Sequence, residues 1–311
     1  MNDIFYPSHD GETTIHACIW RPEGEIKGVV QIIHGMCEYA ERYMPFAEFL
    51  NAHGYLVCAE DHLGHGKSVK SEDDLGFFNK QRSTQIVLDD IRALQLAVKK
   101  QTEGKPYFVL GHSMGSFFCR KYISLYGEDF DGAVIMGTGF KDIFTLTTAL
   151  AFVKINALFR GWHNRSETIK KLAFGSYNKK FFPHKSENDW LSVDEHNVKA
   201  YEADPLCGFS FTNNGYNILF NIIKDACSHK TIESVPKDLP VYFVAGADDP
   251  VGSYGKGVKK AKKKFEDAEI KDVSITLYEG GRHEILNDFC KEQVQNDVLA
   301  FFEKHSGTEN G

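Results

Sequence analysis

No two cysteines in this chain are spaced as Cys-x-x-Cys, and their total of seven is odd. That pattern argues against a disulfide framework and leads us to expect reduced thiols in a cytoplasmic setting. The opening stretch, MNDIFYPSHDGETTIH, lacks the basic start and apolar run of a secretory leader. The most apolar long segment, Ile143 to Phe159, is interrupted by Lys154 and diluted by Thr145, Thr147 and Thr148, a poor match to a membrane span. Cationic excess is also missing. The formal charge is −7, which argues against nucleic acid as the main partner while leaving room for a local patch that meets anionic lipid. Internal repeats and low-complexity tracts are absent.

What remains is the composition of an ordinary globular protein, with 42% hydrophobic and 25% charged residues in 311. That length suits one large α/β domain, or a core carrying a sizeable insertion. Strands are expected at Thr14–Trp20 and Gly28–Ile33, on either side of the turn from Arg21 to Glu25, and again at Tyr55–Ala59, Pro106–Leu110 and Gly132–Met136. Helices are expected over Ser83–Lys99, which has a broad apolar face, and over Phe117–Tyr126, with Gly127 placed to end the second. Short apolar strands alternating with helices imply a mostly parallel sheet covered on both faces. Between Phe140 and Val235 the pattern turns helical and rich in aromatics. Strands resume at Val241–Val244 and Val273–Leu277, and a last helix covers Lys291–Lys304. Residues 140–235 therefore read as a helical insertion, a cap, on a core formed by 1–139 and 236–311. The tail from Ser306 is expected to fray.

Gly111-His-Ser-Met-Gly115 matches G-x-S-x-G, with a buried strand leading in and a helix leading out. A turn that sharp crowds its neighbours, and the two glycines remove the side chains that would collide. Ser113 is thereby presented as a nucleophile, with helix N-terminal amides aimed at developing negative charge. A serine hydroxyl needs a base within hydrogen-bond reach. His283, on the glycine-rich loop Gly280-Gly-Arg-His-Glu284 after the last strand, is placed to be that base. The acid that orients the imidazole is one of the adjacent pair Asp248 and Asp249 at a strand end, with Asp249 favoured and Asp248 left as helper or turn former. His34-Gly-Met-Cys-Glu38 follows a strand where backbone N–H groups are needed for an oxyanion, so Met36 and Met114 are expected to donate through their main chains.

Five segments in order, His34–Tyr43, Asp61–Ser68, Gly111–Gly115, Gly246–Val251 and Gly281–Asn287, together resemble the monoglyceride lipase and lysophospholipase branch of the α/β-hydrolases. The resemblance runs from about Gly28 to the last helix. It implies an α/β-hydrolase fold, Asp249 as the acid, and Met36 and Met114 as oxyanion donors. It also implies ester hydrolysis through an acyl-enzyme, without cofactor or metal. The implied partners are small lipid or ester molecules such as monoacylglycerols or lysophospholipids. Asp204-Pro-Leu-Cys-Gly-Phe209 is similar to a segment of bacterial lysophospholipase-like members. Cys37 departs from the family, where a small glycine or alanine is common. It is expected to narrow the space beside the oxyanion donors or to offer a thiol there. Related capped hydrolases include aminopeptidases, which would need acidic groups at the pocket to hold a peptide amine. A hydrolase fold kept only for binding would not need Ser113, His283 and Asp249 together.

Other clusters favour plainer readings. Asp61, His62 and His65 are loosely spaced for a metal site, with no second ligand pair. The lysine run from Lys256 to Lys264 reads as a solvated helix face. Cys37 and Cys119 read as buried small hydrophobes. The insertion's aromatics either line an acyl tunnel or pack its own core. The stripe Ile143, Leu146, Leu150, Val153 and Ala157 has helical spacing and is expected to gate entry or touch a lipid surface transiently.

Overall fold

The computed structural model describes residues 1–307. Eight strands form one sheet: β1 (Asn2–Pro7), β2 (Thr14–Trp20), β3 (Gly28–Ile33), β4 (Tyr55–Glu60), β5 (Tyr107–His112), β6 (Gly132–Met136), β7 (Val241–Gly246) and β8 (Val273–Tyr278). Their spatial order is β1-β2-β4-β3-β5-β6-β7-β8. The six from β4 to β8 run parallel, while β2 is antiparallel to β4 and to β1. Strands β3 to β7 are wholly buried, which explains why they read as continuous apolar runs rather than alternating ones. This is the α/β-hydrolase architecture that the sequence implies.

On one face of the sheet lie α1 (Met44–Ala52) and α10 (Lys291–His305). On the other lie α2 (Thr84–Lys99), α3 (Met114–Tyr126) and α9 (Lys256–Asp267). Two elements are additions to the sequence reading. β1 has half-exposed, mixed residues, and α1 is short, with a proline in its first turn. α3 begins at Met114, three residues before the expected start, and Gly127 opens a short 3₁₀ turn rather than adopting a left-handed cap. Ser306 is not frayed. It is buried, its hydroxyl donates to the Phe302 carbonyl at 2.7 Å, and the Tyr55 hydroxyl meets it at 3.0 Å. The rest of the expected frayed tail, past 307, lies outside the described residues.

Between β6 and β7 stand α4 (Ile143–Arg160), α5 (Glu167–Phe174), α6 (Glu195–Ala203), α7 (Asn213–Ala226) and α8 (His229–Glu233). α4 is capped by Asp142, which accepts from the Thr145 amide, and α7 is capped by Thr212. α7 packs against both α4 and α3, tying the inserted stretch to the core. Arg120 of α3 strengthens that tie. It is fully buried and donates to the carbonyls of Gly139, shortly before α4, and of Ala226, the last residue of α7.

Candidate active site

β5 ends at His112 and α3 begins at Met114, so Ser113 alone makes the turn. Its backbone sits at φ 53°, ψ −120°, a conformation costing about 1–3 kcal/mol in an L residue. The packing of α3 on the sheet maintains it. A Cβ on Gly115 would overlap the carbonyl oxygens of Ile33 and His34, so only glycine lets the helix approach β3 this closely.

The loop after β8 brings His283 Nε2 to 2.8 Å from Ser113 Oγ, and the loop after β7 brings Asp249 Oδ2 to 2.9 Å from His283 Nδ1. A carboxylate only accepts, so Nδ1 carries the proton and Nε2 is free to take one from the serine hydroxyl. Asp249 is fully buried, and its second oxygen accepts from the Val251 amide at 2.8 Å. Asp248 points elsewhere and pairs with Lys180. The Trp190 indole packs against the His283 ring at 5.0 Å.

Met36 lies on the loop after β3, which passes directly over the serine. A Cβ on Gly35 would stand 3.0 Å from Ser113 Cβ. Among the described residues neither the Met36 amide nor the Met114 amide has a protein acceptor. The next residue, Cys37, holds a positive φ of 55°. It is buried, its thiol donates to the Phe209 carbonyl at 2.8 Å, and its own carbonyl accepts from Gly208 and from the Tyr201 hydroxyl. The Asp204–Phe209 segment is thus docked on the loop that carries Met36, with the Tyr39 hydroxyl donating to Asp204 at 2.8 Å.

Beneath the serine lies a charged network to which the sequence reading gave no role. Glu38 accepts from the Gly35 amide at 2.6 Å, the Tyr43 hydroxyl at 2.9 Å and Arg42 at 2.8 Å. Arg42 forks onto Glu284, the residue after His283, at 2.8 and 2.9 Å. His112 lies 3.1 Å from Glu38 through Nδ1 and 3.3 Å from the His283 carbonyl through Nε2. Burial opposes charge on His112, yet the hydrogen bond and charge of Glu38, with Glu284 behind, hold it above the usual imidazole range. Burial likewise opposes charge on Glu38, and His112 and Arg42 outweigh it, keeping this carboxyl well below its usual range. The only signal in the sequence was position: each of these residues lies within one of the segments that carry the family resemblance.

The clustered histidines play a different part. His34, His62 and His65 pack together, and burial pushes His62 down to about 4 and His65 to about 3. Asp61 is engaged by His16 at 2.7 Å and by the amides of Ala40 and Lys67. The lysine run forms the outer face of α9, paired in part with Glu266 and Asp267.

Above Ser113 opens a cavity of about 1560 Å³ between the core and the inserted helices. The insertion's aromatics divide between the two expected roles. Phe174, Phe182, Trp190, Tyr201, Phe209 and Phe220 line the cavity, whereas Phe211 is core and Phe181 and Trp162 stack under Arg282 and Arg82. Of the expected α4 stripe, Leu146, Leu150, Val153 and Ala157 face inward, with Leu146 lining the cavity, and are unavailable to a lipid surface, while Ile143 at the start of the helix is exposed. The outward face is the other one, carrying Ile155, Leu158 and Phe159, the last two about four-fifths exposed, while the exposed Phe144 stands at the rim of the cavity. A single turn-by-turn pattern identifies an apolar face but not which apolar face is covered when both are apolar. α4 is, by length and composition, apolar enough to cross a membrane, with a mean hydropathy of 1.4.

A strained serine between strand and helix, a histidine after the last strand and a buried aspartate after the one before define an α/β-hydrolase. Residues 24–289 match the family model described as serine aminopeptidase, S33, and the chain belongs to that family. It is 25% identical to a monoacylglycerol lipase of Mycolicibacterium smegmatis, over 92% of each chain. Among solved structures, a carboxyl esterase from Bacillus coagulans superposes with a TM-score of 0.91 at 27% identity, covering 98% of both chains. A lipase in an open form superposes with a TM-score of 0.86 at 25% identity, covering 98% of this chain and 99% of that one. The sequence resemblance to the monoglyceride lipase branch stands on these relatives.

Proposed function

We propose that this protein hydrolyses carboxylic esters by acyl transfer, on substrates of the monoacylglycerol or lysophospholipid type. Ser113 Oγ attacks the ester carbonyl while His283 Nε2 takes its proton, and Asp249 holds the imidazole and stabilises its positive form. The oxyanion is received by the amides of Met36 and Met114. His283 then returns the proton to the leaving alkoxide. Water, activated by the same imidazole, releases the acid from the acyl-enzyme. The observation that carries this reading is the continuous chain of hydrogen bonds from Ser113 through His283 to Asp249, at 2.8 and 2.9 Å, opening into one large cavity.

Residues 140–235 serve as the cap, with α4 to α6 over the cavity and α7 as anchor. The outward face of α4 meets a lipid surface transiently while substrate is drawn in. The free state of all seven cysteines supports a cytoplasmic setting. An aminopeptidase reading is disfavoured, because the buried carboxylates at the cavity, Glu38 and Glu284, are held by Arg42 and His112, leaving only the exposed Glu167 and Glu187 to hold a peptide amine. The test is fatty-acid release from monoacylglycerols, lysophospholipids and short aryl esters, beside Ser113→Ala. Turnover lost in the variant supports the mechanism. Aminoacyl arylamides cleaved in preference to every ester would reject the substrate class.

A further inference from the structure

One cationic group in the cavity has no part in this scheme. Lys141, between β6 and α4, lines the cavity half-buried, and among the described residues no carboxylate stands within ion-pairing distance of it. Burial holds its ammonium below the usual lysine range, and the charge of Asp249 offsets only part of that. Even a half-buried charge without a partner carries a desolvation cost, and inside a ligand cavity an anionic ligand would offset it.

The chain around Lys141 fixes the side of the site on which it stands. A Cβ on Gly137 would lie 3.2 Å from His283 Cε1, and one on Gly139 would lie 2.5 Å from the carbonyl oxygen of Val251. This segment therefore runs along the imidazole and the turn that follows Asp249. In ester hydrolysis the carbonyl oxygen turns towards Met36 and Met114, and the leaving oxygen must meet His283 Nε2. Lys141 thus stands on the leaving-alcohol side. Lys170, Lys171 and Lys179 also face the cavity, balanced in number by glutamates; Glu38 and Glu284 are held by Arg42, and among the described residues Glu167, Glu187 and the three lysines form no ion pair.

We propose that Lys141 binds an anionic group, phosphate or carboxylate, carried by the leaving alcohol. The preferred substrates are then acyl esters of an acidic alcohol rather than of neutral glycerol. This rests on the ester reading of the same site. The ammonium acts as a point charge and tolerates either anion geometry, where an arginine fork would select one.

Binding of short alkyl ethers, which cannot be hydrolysed, tests Lys141 apart from catalysis. Calorimetry would compare octyl ethers of glycerol, of glycerol phosphate and of glycolate, with the wild-type protein, Lys141→Gln and Lys141→Arg. The expected result is that wild type binds at least one anionic ether about tenfold or more tighter than the neutral one. The gap should shrink below about threefold in Lys141→Gln and return in Lys141→Arg. Which anionic ether binds tighter identifies phosphate or carboxylate as the source. A neutral ether bound as tightly by wild type overturns the proposal without any variant, as does a gap that survives in Lys141→Gln. Selective binding without turnover of the matching acyl esters would count against the Ser113 chemistry and leave the anion site standing.

Discussion

Asp248 and Asp249, adjacent in the chain, take different partners: Asp249 is sealed against His283, while Asp248 reaches out to Lys180. The two carboxylates are therefore expected to differ sharply on substitution. Asp249→Asn should lower kcat by about 10⁴, the scale on which losing this orientation acts in serine hydrolases. Asp248→Asn removes only an exposed ion pair and should change kcat by less than about threefold. Steady-state kinetics on one aryl ester decides between them, and equal losses would mean that the acid has been misassigned.

The buried pair of Glu38 and His112 gives a pH signature. Glu38 titrates below its ordinary value of 4.5, so its contribution is present above that value and is lost as pH falls towards its folded pKa. His112 titrates above its ordinary 6.5, so its contribution is full below that value and is lost as pH rises through its folded pKa. The pair thus stabilises the fold most between the two ordinary values. Glu38→Gln leaves His112 buried without its counter-charge and should cost ~3 kcal/mol or more. Urea unfolding should show a larger loss at about pH 5.5, where the unfolded imidazole is protonated, than at about pH 8.5. A loss that does not vary with pH would place the effect in packing alone.

Gly115→Ala tests whether the strained turn depends on the approach of α3 to β3. The added methyl meets backbone carbonyls on two residues, which cannot rotate away as a side chain would. A cost of about 1–3 kcal/mol is expected from overpacking. Activity should fall further than stability, because any shift of α3 moves Ser113 and the Met114 amide together. A thermal melt beside kinetics on a soluble ester would read both, and unchanged activity would show that the turn tolerates the shift.

The outward face of α4 should govern attachment to lipid without touching chemistry on dissolved substrate. Ile155, Leu158 and Phe159, exposed on α4 and outside the cavity lining, each carry ~1.5–3 kcal/mol of transfer free energy if fully buried. Replacing the three by serine should lower sedimentation with phospholipid vesicles by at least about tenfold. Turnover of a short aryl ester should stay within about twofold, since these side chains point away from the core. Undiminished vesicle binding would remove the lipid-facing role of this helix.

How legible the molecule was depends on how local each feature is. The central strands and the order of Ser113, Asp249 and His283 were readable because buried parallel strands are continuous apolar runs and the site residues sit at strand ends. β1 escaped notice because an edge strand with one wet face carries half the pattern, and α1 because nine residues give too few turns. The network of Glu38, Arg42, Tyr43, His112 and Glu284 was invisible for another reason. Its members are ordinary polar residues whose meeting depends on the segment after β3, the end of β5 and the loop after β8 coming to one point. Which side of α4 faces out was equally a tertiary matter, since Leu146 and Leu158 are both apolar and only packing separates them.

All seven thiols are buried. Burial pushes Cys290 up to about 11, and Cys18 and Cys58 to about 12. An alkylating reagent therefore finds almost no thiolate until some part of the chain opens. Cys37 would report on the loop beside Ser113, Cys207 on the inserted helices, and Cys58 and Cys119 on the sheet and the helix packed upon it. Followed site by site, the order in which these sulfurs become labelled would trace the protein's local breathing, each cysteine timing the region in which it is held.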